Sequence, residues 1–299
     1  MESLLFTGAS GFLGNNILPL LKKQYNVTTL GHLPIDDITV NLAKYEPSLS
    51  KQYDIVLHAA GKAHVVPKTP EEEKLFYDIN FEGTKNLCRS LEKVGTPKSI
   101  IFISTVAVYG CETGKLIAED HPLNGTTPYA KSKIMAEEFL TEWCSNKNVI
   151  LTVLRPSLLA GINPPGNLGD MIKGVQKGFY VNIAGGQVQK SILMADDIAI
   201  LLELAKDKGG VYNVCDTGQP SFGELSVLIA KQLGKRKPIS IPYWIAKCLA
   251  LVGDYLGKKA PINSLRLSKL TQSLTFSNKK AIDTLDWQPM KVIEHFKIK

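Results

Sequence analysis

The run Ile100-Ile101-Phe102-Ile103 reads as a strand that delivers two hydroxyl residues, Ser104 and Thr105, and Tyr129-Ala130-Lys131-Ser132-Lys133 follows downstream. Pro128 suits the first turn of a helix, and Tyr129 and Lys133, at i and i+4, share one helical face. An ordinary tyrosine titrates at about 10, so an ammonium beside it favours phenolate and makes its proton useful at neutral pH. Lys133 is the expected ammonium, Tyr129 the expected acid and base, and the Thr105 hydroxyl the group that holds a reacting C–O bond. That set suits hydride transfer to or from a nicotinamide. The spacing alone decides nothing, since Tyr243/Lys247 and Tyr255/Lys259 repeat it. Only the first pair follows a strand-delivered hydroxyl.

The elements that must position these residues begin at the N-terminus. Leu4 to Phe6 reads as a buried strand running into Gly8, Gly11 and Gly14, after which Ile17, Leu18, Leu20 and Leu21 have helical spacing. Glycines there let backbone approach a pyrophosphate, and the open N–H groups of a helix start favour an anion. Further strands are expected at Val27–Leu30, Ile55–Leu57 and Ile150–Leu154, and helices over 71–94 and 129–143. This alternation predicts an α/β fold, a doubly wound parallel sheet. Beyond Pro156 the texture changes, with Asn163-Pro164-Pro165-Gly166 and Ala184-Gly185-Gly186 marking loops and helices expected near 196–206 and 222–233. A smaller second lobe is expected there. Trp244 to Leu256 also has helical spacing; being short and poor in basic residues, it is read as a packed helix rather than a membrane-surface one.

An NAD enzyme of this architecture carries an acid about 20 residues after the glycines, for the ribose 2′-hydroxyl. Here Val27-Thr28-Thr29-Leu30 leads into Gly31-His32, with no acid until Asp36. The missing carboxylate predicts a modest preference for NADP over NAD, with His32 a donor to the 2′-phosphate.

Composition excludes several classes. At 44% hydrophobic and 21% charged residues the chain is typical of globular proteins, and no stretch reads as a membrane span or secretory signal, so the cytoplasm is expected. Five scattered cysteines without CxxC spacing argue against a disulfide framework or zinc site, and no metal is expected. The net charge of +7 is spread without aromatic-interleaved basic stripes, which fits an anionic small substrate better than nucleic acid.

As a set, Thr7-Gly8-Ala9-Ser10-Gly11-Phe12-Leu13-Gly14, His58-Ala59-Ala60-Gly61, Asn80-Phe81-Glu82-Gly83-Thr84, Ser104 through Gly110, and Tyr129 with Lys133 resemble the extended short-chain dehydrogenase/reductases. The closer resemblance is to their nucleotide-sugar epimerase/dehydratase branch. Arg155-Pro156, Gly166-Asn167-Leu168, Asp196-Asp197-Ile198-Ala199 and Asp286-Trp287-Gln288-Pro289 also fall in family order.

The resemblance implies a Rossmann-like domain over 1–156 and a mainly substrate-binding lobe over 157–299, some elements of which return to the Rossmann sheet. It assigns NADP or NAD to Gly8, Ser10, Gly11, Phe12, Leu13, Gly14, Asn41, Leu42, Ala59, Ala60, Gly61, Asn80, Ser104, Lys133 and Pro156, beside His32. A nucleoside diphosphate sugar is the implied partner, met by Thr105, by Asn167 at the diphosphate, and by Lys190 and Arg266. No nucleic-acid or membrane partner is expected, and a homodimer stays open. Val106 and Ala107 stand where 4,6-dehydratases carry an acidic pair, which leaves 4-epimerisation or 4-keto-sugar reduction. The alternatives are a same-fold reductase of a non-sugar carbonyl compound and a non-catalytic dinucleotide-binding relative.

Overall fold

The computed structural model describes residues 1–63, 65–256 and 263–298, and leaves the side chains of Leu256, Leu265, Arg266 and Lys269 outside that description. Seven parallel strands form the main sheet: β1 (Ser3–Thr7), β2 (Asn26–Gly31), β3 (Ile38–Thr39), β4 (Ile55–His58), β5 (Ser99–Ile103), β6 (Ile150–Pro156) and β7 (Gly210–Val214). Their spatial order is 3-2-1-4-5-6-7. The order reverses between β1 and β4, which pair in register from Leu4–Ile55 to Thr7–His58, and ligands bind such sheets at that switch point.

Each central strand is apolar on both faces, as a sheet covered on both sides must be. Leu4, Phe6, Ile55, Leu57, Ile101 and Ile103 point to one layer, against helices α1 (Phe12–Leu21) and, later in the chain, Asp197–Ala205. Leu5, Val56, Ile100 and Phe102 point to the other, against Leu87, Leu91, Leu140 and Trp143. Each such side chain contributes about 1.5–3 kcal/mol by leaving water.

The helix expected over 71–94 is three pieces: α2 (Pro70–Tyr77), a π-helical turn (Asp78–Glu82) and α3 (Gly83–Val94). Thr69 caps α2 by accepting from the Glu72 N–H, and Pro70 takes the first-turn position where its missing N–H costs nothing. Helix α4 (Pro128–Lys147) starts the same way, Thr127 accepting from the Ala130 N–H ahead of Pro128. Past β6 the chain leaves the sheet and then returns: β7 pairs with β6 from Gly210–Thr152 to Val214–Pro156.

Part of the C-terminal half forms a separate apolar cluster in which α5 (Gly166–Lys177) meets the helix Phe222–Gln232. With Asp197–Ala205 as α6 and Phe222–Gln232 as α7, the next helix is α8 (Tyr243–Leu256). It departs from the packed-helix expectation. Among its described residues only the small ones, Ala246, Ala250 and Gly253, are fully buried, while Trp244, Leu251, Val252 and Tyr255 face outward. No described helix is long and apolar enough to cross a membrane.

Candidate active site

The residues singled out by sequence converge on the carboxyl edge of the sheet, from the turn after β1, the ends of β4, β5 and β6, and the start of α4. Gly8 has φ +78, and a Cβ on it would lie 2.7 Å from the Ala60 nitrogen, so the β1 and β4 turns touch backbone to backbone. A Cβ on Gly14 would collide with Ala9, which shows how closely α1 sits on the turn. Gly11 is exposed, and no side chain caps the first turn of α1. The cradle therefore has backbone N–H groups, room and a favourable dipole, the fit a dinucleotide pyrophosphate needs. Phe12 and Leu13 open α1, while Ala59 and Ala60 are half-buried at the β4 end beside exposed Gly61.

A chain of hydrogen bonds fixes these turns from beneath. Thr84 donates to the Asn80 carbonyl, so His58 Nε2 donates to Thr84 Oγ1 at 2.8 Å, and His58 Nδ1 accepts from Thr7 at 2.7 Å. Thr7 Oγ1 in turn accepts from the Ala60 N–H. Burial, followed by the charge of Lys133, pushes His58 down to about 3, which matches the neutral ring this chain requires. A depressed histidine contributes stability that is present above its unfolded value, about 6.5, and is lost as pH falls toward 3. The unfolding free energy from urea denaturation should therefore drop below about pH 6.5 toward about pH 5 with a slope approaching about 1.4 kcal/mol per pH unit for this group. His58→Gln should flatten that limb; parallel curves for variant and wild type would refute the assignment.

Asn80, in the π-helical turn, spends its whole amide on protein. Oδ1 accepts from the Lys62 N–H at 2.7 Å, and Nδ2 donates to the Lys62 carbonyl and to Ser132 Oγ. Ser132 donates to the Tyr129 carbonyl. Asn80 thus locks the loop after β4 to the helix that carries the tyrosine.

Tyr129 is half-buried, with its ring against Phe76 and its hydroxyl close enough to Thr105 for that residue to oppose the effect of burial. Thr105 Oγ1 accepts from the Ala107 N–H at 3.1 Å, which fixes its rotamer. Lys133 is 4% exposed, and its Nζ donates to the Ile103 carbonyl at 2.7 Å over the Phe102 ring. The expected depression of the tyrosine is not found. Burial raises Tyr129, the Thr105 hydrogen bond opposing only in part, and Lys133 plays no part in the shift. Lys133 itself is pushed down to about 8 by burial, with Glu137 opposing.

Ser104 is turned inward: its hydroxyl donates to Glu137. Glu137 also receives Arg155, whose Nη2 lies 2.5 Å away with Nε at 3.1 Å, and Arg155 Nη1 donates to the Tyr109 hydroxyl, which donates to Asn213. Sequence reading missed this floor. The signals were an arginine in an otherwise apolar strand and a carboxylate one turn beyond Lys133. Pro156 is buried at the end of β6, next to Arg155.

The end of β2 corrects the expectation of a missing carboxylate. The chain folds back so that a Cβ on Gly31 would collide with the Asp36 carboxylate. Asp36 Oδ2 accepts from Ser10 Oγ and from the Leu33 N–H, each at 3.2 Å. A side chain five residues further on fills the place that a residue at 31 would occupy. His32 is exposed, Asn41 Oδ1 accepts from the Ala43 N–H, and Leu42 is buried with its carbonyl held by Asn86. In the lobe, Asn167 is exposed in the first turn of α5 and Lys190 is half-buried on a strand-like bridge to Leu274. Arg266 belongs to the helix Ser264–Thr271, and its side chain lies outside the described residues.

Comparisons with known proteins agree with this architecture. The chain is 29% identical over 298 residues to N-acetyl-α-D-glucosaminyl-diphospho-ditrans,octacis-undecaprenol 4-epimerase of Escherichia coli O157:H7, covering 93% of this chain and 88% of that one. It is 29% identical over 253 residues to GDP-6-deoxy-D-mannose reductase of Pseudomonas aeruginosa, 77% and 79% of the two chains. The fold matches MoeE5 in complex with UDP-glucose and NAD, with a TM-score of 0.75, 19% identity, and 98% and 95% of the chains covered. The model of the NAD dependent epimerase/dehydratase family matches residues 4–215. With its α/β Rossmann-like fold, the chain therefore belongs to the NAD dependent epimerase/dehydratase family and is an NAD(P)-dependent enzyme of the extended short-chain dehydrogenase/reductase type.

Proposed function

We propose that this enzyme inverts the C4 centre of a sugar carried on a diphosphate, by oxidising the carbinol and returning hydride to the opposite face. The observation that carries the reading is that Thr105, just past the end of β5, and Tyr129, in the first turn of α4, lie together at the carboxyl edge, with buried Lys133 one helical turn on and bonded to the Ile103 carbonyl. The glycine turn, the Ala59–Gly61 backbone and Asp36 would hold the dinucleotide, which supplies the hydride acceptor. Tyr129 takes the C4 hydroxyl proton as hydride leaves and gives it back on return. Thr105, its rotamer fixed by Ala107, holds the same oxygen. Burial raises Tyr129, so its protonated form is the acid for the reductive half, and the phenolate that takes the C4 proton in the oxidative half would be favoured by the positive charge an oxidised nicotinamide brings beside it. Asn167 and Lys190 meet the diphosphate in this reading.

The cofactor in this reading is NAD(H). A carboxylate at the strand end accepts from a ribose 2′-hydroxyl and repels a 2′-phosphate, and a retained NAD suits a reaction without net redox change. Asp36→Asn should narrow the NAD(H) over NADP(H) affinity ratio by about tenfold, read by fluorescence titration of both cofactors. Tighter NADP(H) binding by the wild type would overturn the choice.

A second reading puts the diphosphate on a polyprenol, as the name of the Escherichia coli relative states for that protein, and the outward apolar face of α8 favours it. The deciding assay incubates the enzyme with UDP-, GDP- and dTDP-sugars, their 4-keto derivatives and a polyprenyl-diphosphate amino sugar, following nicotinamide absorbance beside product identity. Conversion without net loss of reduced cofactor supports epimerisation. Net oxidation of reduced cofactor makes the enzyme a 4-keto reductase instead.

A further inference from the structure

Helix α8 is built inside out. Its buried stripe is Ala246, Ala250 and Gly253, spaced i, i+4 and i+7, which packs on Leu267, Ile183 and Ile241. The stripe on the opposite side is Trp244, Cys248, Leu251 and Tyr255, spaced i, i+4, i+7 and i+11, and all four are exposed. Tyr255 is 94% exposed, Trp244 66%, and Val252, at the edge of the stripe, 58%. An ordinary surface helix puts its large apolar residues against the core and its polar ones in water. This one packs through small residues and turns its large apolar ones to water, and Ile239, just before the strand Ser240–Ile241 that leads into it, is 68% exposed as well.

Charge identifies what covers the face. Between positions 235 and 259 the sequence has Lys235, Arg236, Lys237, Lys247, Lys258 and Lys259 against one acid, Asp254. Asp254 is engaged: it accepts from the N–H and hydroxyl of Ser264 and so ties α8 to the following helix. Aromatic residues stand at both ends of the helix, Tyr243 and Trp244 at one and Tyr255 at the other. Apolar residues in the middle, aromatics at the ends and cations around them is the make-up of a helix lying in the headgroup region of an anionic bilayer. Fourteen residues span only about 21 Å, too short to cross but suited to lying flat. A second copy of the chain fits less well, because a two-fold contact sets the patch against itself and brings its cations together.

We propose that α8 is an interfacial helix that seats the enzyme on an anionic membrane surface, Trp244, Leu251, Val252 and Tyr255 entering the acyl boundary and Lys235, Arg236, Lys237 and Lys247 meeting lipid phosphates. This stands independently of which diphosphate-linked sugar is the substrate.

The test is co-sedimentation of the full chain with vesicles of phosphatidylcholine alone and of phosphatidylcholine with phosphatidylglycerol. Binding should be at least about tenfold tighter to the anionic vesicles and should weaken as salt rises. Trp244 emission should shift to the blue on binding, since Trp143 and Trp287 are already buried. The triple variant W244S/L251S/Y255S, altered only at exposed positions, should keep its melting temperature and turnover of a water-soluble substrate while losing vesicle binding by about tenfold or more. K235E/R236E/K237E should lose the anionic preference. Absence of vesicle binding by the wild type, or binding unchanged in the triple variant, overturns the proposal. So does a concentration-dependent dimer that the triple variant dissolves without any vesicle binding, which would make α8 a subunit contact.

Discussion

Tyr129→Phe should cut turnover by about 10²- to 10⁴-fold while leaving dinucleotide affinity within a few-fold of wild type. The substitution removes one oxygen and its proton. The ring keeps its contact with Phe76, 6.2 Å between centroids, and α4 keeps its Thr127 cap and the Asn80–Ser132 tie, none of which uses the hydroxyl. Turnover should thus fall without a matching fall in cofactor binding, which intrinsic fluorescence titration measures directly. Activity within about tenfold of wild type would mean that another group moves the proton. Lys133→Met differs in kind, since Nζ braces the Ile103 carbonyl immediately before Ser104 and Thr105, so it should perturb the strand end as well as the chemistry.

Arg155→Met should cost about 3–5 kcal/mol of folding stability, the largest loss expected from a single substitution outside the apolar core. Both partners of the Glu137–Arg155 pair are almost fully buried, at 5% and 7% side-chain exposure. Removing the guanidinium leaves Glu137 in a low-dielectric interior with Ser104 as its remaining hydrogen-bond donor, and takes the donor from the Tyr109 hydroxyl. Glu137→Gln combined with Arg155→Met removes both charges and should recover a substantial part of the loss. Urea unfolding of the two single variants and the double one supplies the cycle. A single-variant loss below about 1 kcal/mol would show that water or Lys133 makes up for the missing charge.

The parts of this molecule legible in its sequence are those fixed by local pattern. Buried strands such as Ile100–Ile103 announce themselves because a sheet covered on both faces needs unbroken apolar runs, and the glycine turn because only glycine tolerates the approach seen at Gly8. Relations between distant residues were not legible. Asp36 reaches the β2 end through a reversal of the chain, so counting residues from the glycines finds only Gly31. The same holds for Lys133, whose spacing from Tyr129 is helical but whose ammonium is drawn instead to the Ile103 carbonyl. In α8 the spacing announced an amphipathic helix, yet apolar residues alone do not say which side packs. The small-residue stripe Ala246, Ala250, Gly253 was the clue, since a close-packed helix face needs little bulk. The π-helical turn left no such mark.

The return of β7 bears on how the chain is made. Every strand pair in the main sheet is parallel, so none can close as a local hairpin, and each must wait for a crossover. The edge of β6, Ile150-Leu151-Thr152-Val153-Leu154, stays open until residues 210–214 arrive, and the Ile198, Leu201 and Leu202 side chains that cover one face of the sheet arrive only shortly before them. During synthesis a nascent chain stopped at Pro156 would present an unpaired, hydrophobic strand edge of the kind that recruits other chains. A chain paused within the first part of the lobe therefore carries this open β6 edge, and a chain paused after residue 214 has the strand that covers it.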